Sequence, residues 1–139
     1  MAQAEHGTTA SGEGSIVSLP GTPMGYVAIL LAIVTAAIHL LLAPRVLGFS
    51  RTLAILFALN GLGFLGGVVV YLTRYWRREL YLVAALYAIV TVVAFFAFQG
   101  FGVDAFYRGG QLNVMAAASK AVELLLAVVA GYLYANAES

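Results

Sequence analysis

The sequence predicts an all-α integral membrane protein, a four-helix bundle with antiparallel sequential helices. Three observations carry that expectation. Of 139 residues, 63% are hydrophobic and only 9% charged, whereas soluble domains carry about 25% charged residues. Four apolar stretches, residues 25–43, 52–73, 80–98 and 113–134, each reach the ~20 helical residues that a ~30 Å hydrocarbon core requires. The connections between them are short, so residues 24–135 form one transmembrane domain with little chain left for anything else.

Residues 1–23 read as a flexible N-terminal tail, rich in Gly, Ser, Thr and Ala, with Glu5 and Glu13 and no Lys or Arg. The missing basic region before the first apolar stretch speaks against a cleaved signal peptide. Pro20, Gly21 and Pro23 break the tail before the first span, and Tyr26 lies where an aromatic ring suits a membrane interface. Pro44 is expected to end that span. The short connection to the second span, residues 43–51, carries Arg45 and Arg51, and Ser50 is placed to cap the next helix. Spans 1 and 2 should form a hairpin.

Spans 2 and 3 are expected to be neighbours too, joined by Arg74, Tyr75, Trp76, Arg77, Arg78 and Glu79. In this cluster Arg74, Trp76, Arg77 and Arg78 read as interface anchors. The connection 99–112 is the longest, with Gly100, Gly102, Gly109 and Gly110 around Asp104 and Arg108. It is the loop with room to fold over a mouth. Residues 136–139 are a C-terminal tail.

Orientation by basic residues is level: Arg74, Arg77 and Arg78 on one side, Arg45, Arg51 and Arg108 on the other. The density of the first cluster favours a multi-pass protein of the cell membrane with cytoplasmic termini. A level count also permits insertion in both orientations, so a homodimer or larger membrane complex is kept as a partner beside the lipid bilayer itself.

Several chemistries find no support. Without cysteine there are no disulfides, thiolate metal sites or dithiol redox steps on this chain. No GxSxG, HExxH, P-loop or CxxC occurs, so no catalytic residue and no metal-ligand set is assigned. A bis-His haem needs two ligands on facing helices, and only His39 lies within a span, His6 being in the tail. No cofactor is therefore expected. The basic residues are scattered, which excludes a nucleic-acid surface.

What remains is a set of polar residues at depth. Counting ~1.5 Å per residue from the face carrying the 43–51 and 99–112 loops puts His39 about 6 Å in, Lys120 about 9 Å, Thr91 about 10 Å, Asn60 about 12 Å and Glu123 about 13 to 14 Å. All five fall in the same half of the membrane although they come from four helices. They predict one polar pocket, a candidate for small-ligand binding or proton relay. An ionisable residue at such depth is expensive and a functional hypothesis by default. Burial penalises charge on Glu123, while Lys120 or a protonated His39 nearby favours it.

The plainer reading stands beside this. Asn60 and Thr91 serve readily as interhelical hydrogen-bonding glue, and Lys120 has either Glu123 as partner or a snorkelling route to the interface. A carboxylate as deep as Glu123 must find a partner or stay neutral, so a merely structural role fits it least. Gly63 and Gly67 form a GxxxG packing face in span 2, with Ala28, Ala32 and Ala36 a comparable one in span 1; either serves the bundle or a dimer. Phe95, Phe96, Phe98, Phe101, Phe106 and Tyr107 read as an interfacial belt, with a hydrophobic ligand niche as the lesser reading.

AlaAlaIleHisLeu at 36–40 ahead of Pro44, AsnGlyLeuGlyPheLeuGly at 60–66 and SerLysAlaValGlu at 119–123 together resemble a family of small four-span archaeal membrane proteins of unknown function. The resemblance implies the four-helix architecture and no activity. Small multidrug resistance transporters and fluoride channels share the size and helix count, but the former carry their glutamate in the first helix, which here has none. The expected function is a membrane protein with an intramembrane polar pocket for proton-linked or ion-linked translocation or small-ligand binding. The alternative is a non-catalytic accessory or assembly subunit, and an enzyme is the weakest reading.

Overall fold

The structure is a computed structural model and describes residues 15–48, 50–108 and 110–137. It is all-helical apart from one small hairpin. Four helices, α1 (Pro23–Val46), α2 (Arg51–Tyr71), α3 (Glu79–Gln99) and α4 (Val114–Asn136), are each long and apolar enough to cross a membrane.

Local sequence sets the helix ends. Pro23 opens α1, where its missing N–H loses no helical bond. Ser50 and Asn113 cap α2 and α4, accepting from Leu53 N at 3.1 Å and Ala116 N at 3.2 Å. Gly100, at φ 104°, closes α3 in a conformation that a side chain would resist. Pro44 does not end α1 as expected. The helix runs two residues further, to Val46, because a proline in the last turn forfeits only one bond near an end where the ladder is already incomplete.

α1 packs along α2 and α4, and α4 along α3. The core is small and lies where these meet: Ala32 and Ala36 of α1, Phe64 of α2, Ala88 of α3 and Leu126 of α4. Close approach of α1 and α2 falls at Gly61, where a Cβ would stand 2.8 Å from Leu40 Cγ and 3.1 Å from the Ala36 carbonyl oxygen. Of the expected GxxxG pair, Gly63 instead seats the Tyr87 ring of α3, and Gly67 faces open space. The small residue that packs in the bundle is thus Gly61 against α1, two residues before the motif and on another side of the helix.

Spans 2 and 3 are neighbours, but they meet through side chains, Tyr87 and Thr91 of α3 on Phe64 and Asn60 of α2, and not by close packing of their backbones. Among the described residues α2 and α3 make no extended contact, and a cleft separates them. Bulky aromatic side chains hold it open. Tyr71, Trp76 and Tyr81 pack edge to face at one end, with ring centroids 4.7 to 5.7 Å apart, and Tyr87 spans the middle. Arg78 ties this end to α4, donating from Nε to the Tyr134 carbonyl at 2.9 Å with its guanidinium over the Tyr134 ring. Trp76 and Arg78 are thus packed against protein, while Arg74 and Arg77 are exposed.

Two further segments border the bundle. Residues 16–18, within the stretch read as tail, pair with the α2–α3 connection: Ser18 N donates to Leu72 O and Arg74 N to Ile16 O, both at 2.8 Å. After α3 the chain forms a 3₁₀ turn, Val103–Phe106, and a hairpin of β1 (Tyr107–Arg108) and β2 (Gln111–Leu112). Phe106 anchors this loop on Phe95 and Phe96, with centroids 5.0 and 5.6 Å away.

Candidate functional site

The five polar residues singled out from sequence converge in one network. Its centre is Glu123, whose side chain is 0% exposed. Glu123 Oε2 accepts hydrogen bonds from Thr35 Oγ1 at 2.5 Å and Ser119 Oγ at 2.8 Å. Lys120 Nζ lies 2.7 Å from Oε1 in an ion pair set off the direction of a hydrogen bond. The carboxylate therefore meets α1 through Thr35 and its own helix through Ser119 and Lys120. Lys120 does not snorkel away. Its ammonium stays buried beside Glu123 and 5.3 Å from the Phe95 ring centroid, an arrangement that keeps both charges compensated where water is scarce.

From Glu123 the network passes to α2 and α3. His39 Nδ1 is 3.7 Å from Glu123 Oε2 and donates to the Thr35 carbonyl at 2.9 Å. Its Nε2 accepts from Asn60 Nδ2 at 3.3 Å. That pattern fits a neutral ring protonated on Nδ1, with the Asn60 amide turned accordingly. Asn60 Oδ1 then accepts from Thr91 Oγ1 at 3.3 Å, a hydroxyl also within 2.9 Å of the Tyr87 carbonyl. Tyr87 Oη donates to the Asn60 main-chain carbonyl at 3.0 Å. This bond and the Phe64–Tyr87 edge-to-face contact at 4.8 Å close the cleft at its middle.

Two cavities result. One, of about 270 Å³, lies toward the Trp76 end and is walled almost wholly by apolar and aromatic groups such as Val68, Trp76 and Tyr81. The other, of about 650 Å³, lies toward the 99–112 loop. His39, Asn60, Thr91, Ser119 and Lys120 form its inner wall, and Arg45, Gln99, Tyr107 and Asn113 stand among its other lining residues. Glu123 does not line it. The carboxylate lies behind the wall and positions Lys120, while Lys120 itself meets the cavity. The 99–112 loop borders this space through Ala105 and Tyr107.

Three participants were not singled out from sequence: Thr35, Ser119 and Tyr87. Each lies four residues before an expected member, His39, Glu123 and Thr91 respectively. Helical side chains lean toward the N-terminus, so the i−4 position is where a local partner belongs. For Thr35 and Ser119 the signal was the i−4 hydroxyl; the Tyr87 hydroxyl instead reaches across to the Asn60 carbonyl of α2. No group of three or more metal-ligating side chains occurs among the described residues. His6, considered for haem, lies outside them.

Fold and site together define a protein of four helices, each long and apolar enough to cross a membrane, with a buried ionic network beside a cavity. More particularly, the chain belongs to a family of unknown function, DUF7475, whose family model matches residues 10–134 and so covers α1 to α3 and nearly all of α4. No curated protein and no solved structure matches it.

Proposed function

We propose that this chain is a multi-pass membrane protein that binds a small ligand in the cavity between α2 and α3. One observation carries the reading: a space of about 650 Å³, within the usual range for ligand sites, has a buried ammonium, an imidazole, an amide and a hydroxyl on a single wall. Such convergent polar groups in an otherwise apolar concavity fix a ligand's orientation.

The membrane setting is supported by the outer surface. Leu30, Leu41, Leu59, Val69, Leu86, Val128 and many other large apolar side chains point outward on all four helices, far beyond the patch sizes of soluble monomers. Helices crossing in alternating directions suit the short connections and the meeting of His39, near the end of α1, with Asn60, midway along α2. The termini and the Arg74–Arg78 connection are assigned to the cytoplasm on the density of that basic cluster.

Ligand binding is favoured over proton-linked or ion-linked translocation because the polar path stops. Beyond Tyr87 and Phe64 the second cavity offers little to solvate an ion, and an ion without such groups meets a steep barrier. A second reading, an accessory subunit of a membrane complex, draws on Gly66, Gly67 and Gly131, which have open space above them where a partner helix can approach closely.

Purification from native membranes with native mass spectrometry tests these readings. A small molecule in stoichiometric amount, lost on filling the cavity with Ala94→Phe, is the expected result. A stoichiometric protein in its place would favour the subunit reading. Proton flux in proteoliposomes that vanishes in Glu123→Gln would overturn the preference for binding over translocation.

A further inference from the structure

Resting on the ligand-binding reading, we infer that the ligand is a monoanionic amphiphile drawn from the surrounding bilayer. Its head is held by Lys120 and Asn60, and its hydrocarbon chain lies along Phe57, Phe95 and Phe98. The charge pattern of the wall leads to this class. Arg45 and Lys120 line the cavity and no Asp or Glu does. The carboxylate that compensates Lys120 lies behind the wall, and Arg45 has no ion pair among the described residues. The one uncompensated charge facing the space is therefore that of Arg45, which favours a monoanion and disfavours a cation, while Lys120, already paired, contributes N–H donors to the head group rather than net charge.

The hydrogen-bonding inventory agrees. An ammonium offers three donors and an amide nitrogen two. Lys120 meets Glu123 in an ion pair without an aligned hydrogen bond, and Asn60 directs one N–H toward His39 Nε2, so both retain donors for an oxyanion, while His39 Nε2 is already taken as an acceptor. A charged acceptor gains most from such donors. Much of the remaining lining, including Leu42, Leu53, Leu56 and the three phenylalanines, is hydrocarbon, with Gln99, Tyr107 and Asn113 also among the lining residues. Arg45, six residues beyond His39 on α1, stands about 9 Å further toward the α1–α2 connection. It draws an anion inward without touching a head group bound at Lys120.

Equilibrium binding to the full chain in phosphatidylcholine nanodiscs tests the inference, with radiolabelled oleate, oleyl alcohol and phosphatidylglycerol as probes. Oleate should bind at least about 10-fold more tightly than the alcohol, the difference expected of a charge-assisted contact. The paired variant Lys120→Met with Glu123→Gln should bring the two within about 2-fold. Its unchanged binding of the alcohol would show that the cavity is intact. Arg45→Gln should weaken oleate about 3-fold in low salt, whereas Arg51→Gln, which does not line the cavity, should have no effect. Phosphatidylglycerol competing with oleate would support the anionic class with a phosphodiester head, and oleate alone would support it with a carboxylate head. Equal binding of oleate and alcohol would overturn the inference while leaving the ligand reading in place. Binding of none of the three would overturn both.

Discussion

Lys120 Nζ and Glu123 Oε1 lie 2.7 Å apart on one turn of α4, yet Lys120 faces the cavity and Glu123 is sealed behind it. The two charges therefore have different roles. Glu123 holds the ammonium in place and links α4 to α1, and Lys120 presents N–H donors to whatever enters.

Removing one partner should be far worse than removing both. Glu123→Gln leaves a buried ammonium uncompensated, and about 3 kcal/mol of stability should be lost. Lys120→Met should be similarly harmful, while the double variant recovers most of the loss. A double-mutant cycle on unfolding in detergent measures the coupling. Simple additivity of the two single losses would show that the pair is not a unit.

Thr35 is the cross-helix donor to Glu123, at 2.5 Å. Replacing it by valine keeps the shape and removes the hydroxyl, which should lower stability by about 1.5 kcal/mol, as for a hydrogen bond to a charged group. Thr35→Ser should restore most of it. Equal losses for valine and serine would place the effect in packing, not in the hydroxyl.

The helices and the meeting of Glu123, His39, Lys120, Asn60 and Thr91 were legible in the sequence because bilayer length and helical rise fix depth. Depth alone does not give rotation about the helix axis, so it does not decide whether Lys120 turns to Glu123 or to the interface; the neighbours that α1 and α3 supply do. Thr35, Ser119 and Tyr87 carried a signal that counting buried charges overlooks, since hydroxyls are common in apolar helices. The cleft was hidden for another reason. A six-residue aromatic connection looks like a tight hairpin, and nothing local says that Tyr71, Trp76, Tyr81 and Tyr87 will wedge the two helices apart.

The glycines of α2 should respond with opposite signs. Gly61→Ala places a methyl 3.1 Å from the Ala36 carbonyl oxygen, a backbone atom that cannot move aside, so the variant should unfold at lower temperature than wild type. Gly67→Ala meets open space and should be neutral or gain up to about 1 kcal/mol from helix propensity. Thermal unfolding of both in the same detergent provides the comparison. A loss at Gly67 matching that at Gly61 would mean that the motif face is covered by a second chain.

The absence of cysteine makes the chain a clean background for thiol labelling. Three sites on α3 separate three surroundings: Ala94 lines the larger cavity, Val93 points outward and is 50% exposed, and Ala88 is 0% exposed. A maleimide reacts with the thiolate, which forms only where water reaches. In native membranes Ala94→Cys should therefore react, while Val93→Cys, facing lipid, and Ala88→Cys, buried in the core, should not. Rapid labelling of Val93→Cys would put the outer surface in water and defeat the membrane reading. Labelling of Ala94→Cys as slow as that of Ala88→Cys would mean that the cavity is closed to solvent, and the inner wall of His39, Asn60 and Lys120 would then be a structural network with no access for a ligand.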